Sequence, residues 1–373
     1  MTYTPLGPAW AAPLDLTLAC ELLRRDPSLL PALGESARAV RGMRLYALTG
    51  TAQAQLRSRG AVFELASSVC VLGAFDGVHA GHRELVRLAA ADARARRLPC
   101  VGVTFDPDPA DVLVGATRGM RLLTVGERLQ ELAALGLDSV LVVPFTRELA
   151  RVGYAEFLRS WLFAATGAAA VHVGADFRMG SGGAGTVEAL AAEGARLGVA
   201  VFGHELVSDA GGAVSATRIR GLVHNGHVAE AARLLGRYHG VRGEVAHGRG
   251  EGTSFGFPTA NVHVDAASCL PSEGVYAAFA LAGRRAFPAA VNVGAPRSFG
   301  GAAGVPMLEA TLLGFEGNLY GEQLSVCFVE WLREPRTFAS LAELEQTVLG
   351  NVSAGERRVI CADFFLPASS GDC

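Results

Sequence analysis

Three clusters of polar residues carry types and spacings that could do chemistry. The first runs GAFDGVHAGH, from Gly73 through Phe75, Asp76, Gly77, His79 and Gly81 to His82. An apolar β-branched run precedes it and reads as a short buried strand, and GHRELVRLAAADARARR follows it as an amphipathic helix. Strand, glycine-rich turn and helix start together make an anion site. The backbone can come close, the first helical N–H groups are unpaired, and the helix dipole favours negative charge. Two histidines three positions apart, with Gly81 between them, can both face that site and donate to a phosphate. The second cluster is a set of polar strand ends: Asp106, Pro107 and Asp108 after one apolar run, and Gly174, Asp176, Phe177 and Arg178 after another. The third is Ser215, Thr217, Arg218 and Arg220, where a serine N-cap opens a helix. Its plain reading is a cap only, but hydroxyls and two arginines at a helix start also suit a triphosphate.

The elements that must position these residues alternate. Apolar runs VCVLGAF, CVGVTF, SVLVVPF, AAAVHVGADF and GVAVFGHEL are separated by helical stretches at 80–97, 124–136, 154–166 and 184–197. Short buried strands alternating with helices predict a doubly wound parallel sheet, the Rossmann-like α/β fold, whose ligands bind off the carboxyl ends of the strands. A second short helix, 227–236, ends this half. From His239 the texture becomes antiparallel: HGVRGEVAHG, FPTANVHV, GVYAAFALAG, RAFPAAVNVG, PMLEATLLG and QLSVCFVEWLR are joined by Gly, Pro and Asn turns. These predict a small β-barrel followed by a C-terminal helix from about residue 340. The expected division is residues 1–66 as an N-terminal extension, 67–236 as the α/β domain and 237–373 as the barrel domain. Within the extension, 14–25 and 31–41 look helical. It could be a packing extension, an oligomerisation arm or part of the first domain, so a homo-oligomer stays open.

Half of the 373 residues are hydrophobic and 18% are charged, which allows a sizeable core and argues against wholesale disorder. The formal net charge of −3, from 33 basic and 36 acidic residues, argues against a nucleic-acid binder and a basic membrane-surface protein. The chain contains no lysine, so any cation that neutralises phosphate must be arginine, protonated histidine or a metal. The seven cysteines show no CxxC spacing and read as reduced residues of a cytoplasmic protein. The N-terminus lacks the pattern of a signal peptide, and no apolar stretch is long enough to predict a membrane span.

The HxGH pattern resembles the signature of the nucleotidyltransferase superfamily. Over roughly 69–364, both halves resemble the bacterial bifunctional riboflavin kinase/FMN adenylyltransferase (FAD synthetase) family. GAFDGVHAGH, TFDPDP, VGADFRMG and VSATRIR match in the first half. HGRGEGTSFGFPTANV, GVYAAF, NVGAPRSFGG, LEATLLGFEGNLYGE and SLAELEQTVL match in the second. The resemblance implies that the barrel phosphorylates riboflavin with ATP and that the α/β half joins FMN to the AMP part of a second ATP, giving FAD and pyrophosphate. It implies Glu309 as general base, and Thr259 and Asn261 as oxygen donors to Mg2+. Gly248, Gly250, Gly252 and Gly256 would form a flap over ATP, and Pro258 and Asn292 would bind ATP or flavin. In the α/β half it implies catalytic roles for His79, His82 and Asp176. Gly73, Phe75, Asp76, Gly77, Gly81, Asp106, Pro107, Asp108, Gly174, Phe177, Ser215, Thr217, Arg218 and Arg220 would bind nucleotide and flavin.

Several positions depart from the family pattern. Asp108 stands where a histidine is customary, placing an anion beside the expected triphosphate. Ala216 replaces a serine, and the run 180–185, GSGGAG, lacks a basic residue often found there. Thr253 stands where an arginine is frequent, and Pro296 precedes Arg297 in an inverted order. These departures keep rival readings open: a riboflavin kinase with a degenerate nucleotide-binding or regulatory first domain, or a paralogue acting on a flavin analogue. A non-catalytic flavin carrier would predict loss of Glu309 or of PTAN, and both are present.

Overall fold

Apolar, largely β-branched runs become the central strands of the first unit. The structure is a computed structural model and describes residues 4–5, 44–47, 67–114, 120–163, 166–246, 259–283, 285–294 and 307–334. The strands are β1 (Thr4–Pro5), β2 (Arg44–Ala47), β3 (Ser68–Leu72), β4 (Cys100–Asp106), β5 (Ser139–Pro144), β6 (Ala168–Gly174) and β7 (Ala200–His204). They form one sheet in the order β1-β2-β5-β4-β3-β6-β7. Every pairing from β2 to β7 is parallel, and only β1 runs antiparallel at the edge. The expected doubly wound sheet is therefore present, and two short strands from the N-terminal extension lengthen its β5 edge. The expected helices at 14–25 and 31–41 lie outside the described residues.

The order reverses beside β3, with β4 and β5 on one side and β6 and β7 on the other. Crossovers leave β3 and β6 toward opposite flanks there, so their carboxyl ends bound a crevice. Helices α1 (Ala80–Arg96), α2 (Pro109–Val114), α3 (Val125–Ala134), α4 (Tyr154–Phe157) and α5 (Val187–Leu197) connect the strands. Thr124 and Glu127 form a capping box that fixes the start of α3, and Thr186 caps α5. The helix expected over 154–166 is α4 followed by a π-helical turn, Leu158–Phe163. A π turn repeats every five residues, which brings Phe157 and Leu162 together into the core beneath β3, β4 and β6. On β6, His172 ties α1 to β7, with Nε2 3.1 Å from Asp92 Oδ2 and Nδ1 2.9 Å from His204 Nε2.

The second unit is a closed antiparallel barrel, as expected. Its strands are β10 (His239–Ala246), β11 (Thr259–Val264), β12 (Gly274–Ala282), β13 (Arg285–Gly294), β14 (Met307–Leu312) and β15 (Gln323–Arg333); a two-strand ribbon, β8 (Ser208–Asp209) and β9 (Gly212–Ala213), precedes it in the first unit. The barrel order is β10-β11-β14-β13-β12-β15, and β15 pairs with both β10 and β12 to close it. Alternate residues such as Val262, Leu308, Ala310, Val291 and Val326 fill the interior. Helices α6 (Ala216–His224) and α7 (Val228–Leu235) pack with this unit, and Val228 joins the barrel core. Residues 120–123 also belong to it. Arg121 N–H donates to Ala267 O at 2.7 Å, Cys269 N–H donates to Arg121 O at 2.9 Å, and Arg121 pairs with Asp265 at 2.8 Å. The C-terminal helix expected from about residue 340 lies outside the described residues.

Two substitutions separate close packing from open space in this unit. A Cβ on Gly243 would stand 2.1 Å from the His263 carbonyl oxygen, whereas one on Gly221, in the middle of α6, meets nothing within 4 Å. Gly243→Ala should destabilise the barrel by about 1–3 kcal/mol, and Gly221→Ala should stabilise by about 0.5–1 kcal/mol. Urea unfolding of the full chain reads both signs.

His239 is 1% exposed, and its Nε2 lies 2.7 Å from the Cys269 carbonyl, which accepts its N–H. Burial pushes this imidazole down from 6.5 to about 4, with Arg237 adding to the effect and the Cys269 carbonyl opposing it. The unfolded chain therefore takes up the proton first as pH falls below 6.5. His239 thus costs stability progressively down to about pH 4, up to about 3 kcal/mol. Unfolding midpoints at pH 7.5 and 4.5 should differ less in His239→Gln than in the unmodified protein.

Candidate active sites

The first site is built where β3 ends. Phe75 and Val78 adopt positive φ of 54° and 39°, and Gly77 adopts 79°, so the chain doubles back sharply before α1. For a phenylalanine and a β-branched valine that conformation is strained, and it persists because the surroundings fix it. Phe75 and Val78 are fully buried, and Val78 N–H donates to Phe75 O at 3.1 Å. The turn delivers Asp76 and His79, which are 5% and 6% exposed, to the start of α1, and His82 follows one turn on. The imidazoles of His79 and His82 stack with centroids 3.7 Å apart, and Phe75 meets the His82 ring edge-on at 5.1 Å. A Cβ on Gly81 would lie 3.2 Å from two atoms of the His79 ring, which explains the glycine between the histidines.

Burial, followed by the neighbouring His79 and Arg128, holds His82 well below the ordinary imidazole value. It is therefore neutral at physiological pH and offers a single ring N–H, not the cation that a phosphate site could use. Arg83, beside it, is paired with Glu131 of α3.

The other strand ends converge on the same edge of the sheet. Asp106 closes β4 and is buried, and the Asp106–Pro107 peptide is cis. Asp108 has a local role: its Oδ1 accepts the Ala110 N–H at 2.8 Å and caps α2. A carboxylate at that position is thus explained by the helix it starts. After β6, Gly174 leads to Asp176, which is exposed, and to the half-buried Phe177. Arg178 folds onto the glycine run, donating to Gly183 O at 3.3 Å, so a cation reaches the loop whose own sequence lacks one.

Ser215, Thr217, Arg218 and Arg220 open α6, which packs within the second unit. Ser215 is its N-cap, accepting the Arg218 N–H at 3.2 Å. Arg220 donates to Thr217 Oγ1 at 3.3 Å, and Arg218 approaches Glu230 of α7 at 3.7 Å. The residues that the first unit itself gathers are therefore those after β3, β4 and β6.

Arg128, on α3, was not among the sequence candidates. It is 2% exposed, and its Nη1 donates to Ala74 O at 2.7 Å, Thr104 Oγ1 at 3.1 Å and Phe105 O at 2.9 Å. Its signal is an arginine within an apolar helical stripe, since Val125, Leu129 and Leu132 share its buried face.

The barrel carries a polar row on three adjacent strands. Register places Asn261 of β11 opposite Glu309 of β14, and Glu309 opposite Asn292 of β13. Glu309 alternates with the interior Leu308 and Ala310, so it stands on the outer face and is exposed. Asn292 Nδ2 lies 3.5 Å from Glu309 Oε2, the outer limit of a hydrogen bond, and Asn292 Oδ1 is buried with no partner among the described residues. Thr259 pairs across with Thr311 on the same face, one step along. Gly248, Gly250, Gly252, Gly256, Pro258, Thr253, Pro296 and Arg297 lie outside the described residues.

A doubly wound sheet with a glycine turn and histidines at its switch point, joined to a barrel with a carboxylate-and-amide face, defines a two-site nucleotide-dependent transferase. Residues 63–218 match the family model described as FAD synthetase, and residues 235–357 match the one described as riboflavin kinase. The bifunctional riboflavin kinase/FMN adenylyltransferase of Escherichia coli K12 is 33% identical over 281 residues, covering 75% of this chain and 89% of that protein. The enzyme of the same name from Pseudomonas fluorescens is 32% identical over 77% of this chain and 91% of its own. The Bacillus subtilis one is 29% identical over 76% and 90%. A crystal structure described as a macrolide-efflux protein from Streptococcus pneumoniae superposes with a TM-score of 0.70 at 28% identity, over 83% of this chain and 98% of that one. Efflux is said of that protein. Among the described residues here, no helix is long and apolar enough to cross a membrane.

The chain belongs to the bifunctional riboflavin kinase/FMN adenylyltransferase family. It phosphorylates riboflavin to FMN with ATP, and it adenylates FMN to FAD with a second ATP, releasing pyrophosphate. The kinase-only alternative gives way to this reading, because both domains are present and the relatives carry both names.

Gly81→Ala tests the glycine between the histidines. It should displace the His79 ring by a few tenths of an ångström and lower FAD formation from FMN about tenfold. FMN formation from riboflavin, measured on the same sample by HPLC, should stay unchanged.

Proposed function

We propose that adenylyl transfer runs at the turn after β3. A phosphate oxygen of FMN attacks the α-phosphorus of ATP, the bond from that phosphorus to the bridging oxygen breaks, and pyrophosphate leaves. No protein nucleophile is required. His79 and His82 donate N–H groups to the triphosphate and to the charge that builds on the reacting phosphorus. Asp176 positions the nucleotide; Ser215, Thr217, Arg218 and Arg220 are the further phosphate-binding candidates that the resemblance supplies. The backbone of Gly73, Phe75, Asp76, Gly77 and Gly81 forms the cradle, with Asp106, Pro107, Asp108, Gly174 and Phe177 at its margins. The stacked histidine pair at the start of α1, beside the strand ends, is what supports this reading.

In the barrel, Glu309 removes the proton of the ribityl 5′-hydroxyl of riboflavin as its oxygen attacks the γ-phosphorus, and ADP leaves. Asn292 borders the reacting groups. The one observation that carries this assignment is the cross-strand row Asn261, Glu309, Asn292, which sets a carboxylate between two amides on an accessible face. The donor set fits Mg2+: the Thr259 hydroxyl and the Asn261 amide oxygen are hard ligands on one face, and phosphate oxygens complete such a shell. When bound, Mg2+ shares the charge of the phosphates. We assign residues 67–236 to the adenylyltransferase and 237–373 to the kinase. Small-molecule partners, a near-neutral chain and the buried free thiols of Cys70, Cys100, Cys269 and Cys327 suit a cytoplasmic enzyme without a nucleic-acid or membrane partner.

Glu309→Ala is the direct test. FMN formation from riboflavin and ATP should fall at least about a hundredfold, while conversion of supplied FMN to FAD continues at the unmodified rate. Loss of both activities on that single change would refute two separate sites.

A further inference from the structure

Arg128 is a cation in an unusual position. It is among the largest fully buried side chains, forms no ion pair among the described residues, and leaves its Nε without a partner. A buried charge without a counter-ion is costly, and one that persists serves something else. Its three acceptors are neutral oxygens, and two are the main-chain carbonyls at which β3 and β4 leave their shared ladder. The last bond of that ladder is Gly73 N–H to Val103 O at 3.1 Å; beyond it, Thr104 Oγ1 and Arg128 both donate to Ala74 O. Ala74 directly precedes the strained Phe75, so the guanidinium fixes the root of the turn that delivers Asp76, His79 and His82. Among the described residues, no carboxylate pairs with the remaining positive charge. The chain has no lysine, His82 is neutral, Arg83 is taken by Glu131, and Asp108 adds a negative group at the next strand end.

We propose that Arg128 is a positioning residue for adenylyl transfer, holding the ends of β3 and β4 in register with the histidine turn and supplying uncompensated positive potential beneath the triphosphate. The proposal rests on the reading of the turn after β3 as the FMN adenylylation site. The guanidinium acts through the turn and through His82; it does not touch the substrate.

The groups that set the His82 proton are burial first, then His79 from its own helix start and Arg128 from α3. Removing the Arg128 charge therefore raises the His82 pKa toward the ordinary value; loosened packing that admits water raises it too, so the lysine variant, which keeps the charge, separates the two causes. The experiment uses the full chain with Arg128→Met and Arg128→Lys. FAD formation from FMN and ATP is followed across pH, FMN formation from riboflavin is the control, and His82 is titrated by NMR. Arg128→Met should lower kcat for FAD formation about a hundredfold while kinase activity stays within about twofold. The acid limb of the FAD profile and the His82 titration should both move to higher pH. Arg128→Lys, which keeps the charge and loses the planar fork, should recover part of kcat and keep His82 low. Unchanged FAD formation in Arg128→Met, or a loss with an unmoved His82 that lysine does not repair, would overturn the proposal. If His82→Ala leaves FAD formation from FMN unchanged, the reading of the site falls, and the His82 titration alone decides whether Arg128 governs that histidine.

Discussion

Parallel strands that splay apart leave main-chain carbonyls without ladder partners, and the first unit depends on how it meets that demand. The Ala74 and Phe105 oxygens point into the gap between β3 and β4, where water would otherwise have to follow. Thr104 and Arg128 fill it. With those acceptors satisfied, the chain after Ala74 can hold a conformation that phenylalanine and valine ordinarily avoid, and α1 starts at a fixed angle. The histidine stack and the glycine that admits it take their geometry from that corner.

The second unit solves a different problem with a simpler device. A closed antiparallel barrel has no free edges, and its side chains alternate strictly between core and solvent. A row of polar residues across β11, β14 and β13 costs the core nothing, because Val262, Leu308 and Val291 occupy the inward positions beside it. On the proposed assignment, one unit builds its chemistry on strained backbone at strand ends, and the other builds it on the regular face of a sheet.

Period and punctuation made most of this legible before any coordinates. The runs around Val71, Val103, Leu141 and Val171 are too apolar for anything but buried parallel strands, and Ser215, Gly236 and the Gly-Pro turns of the barrel marked their boundaries. What escaped was tertiary. Arg128 sits at a position that its helix pattern marks as inward, but only the fold shows which oxygens a cation there meets. Asp108 looked like a charge at a phosphate site, and its nearest obligation is to the N–H of Ala110. The π turn after Phe157 has no local signature, because the core selects the five-residue spacing. The short strand Arg44–Ala47 pairs with β5 across more than ninety positions of sequence, a distance over which local pattern carries no information.

Residues 120–123 lie in the first half of the sequence but are folded with the second. Leu122 and Leu123 are buried there, and Arg121 bonds to Ala267, Cys269 and Asp265 before Thr124 caps α3. The border between the two units therefore does not follow chain order. A gene cut between the halves would leave residues 120–123 on the wrong fragment, away from the Ala267, Cys269 and Asp265 groups that Arg121 bonds, so this architecture resists fission and domain shuffling. Fusion of the two activities on one polypeptide is, in that sense, written into how the chain is threaded.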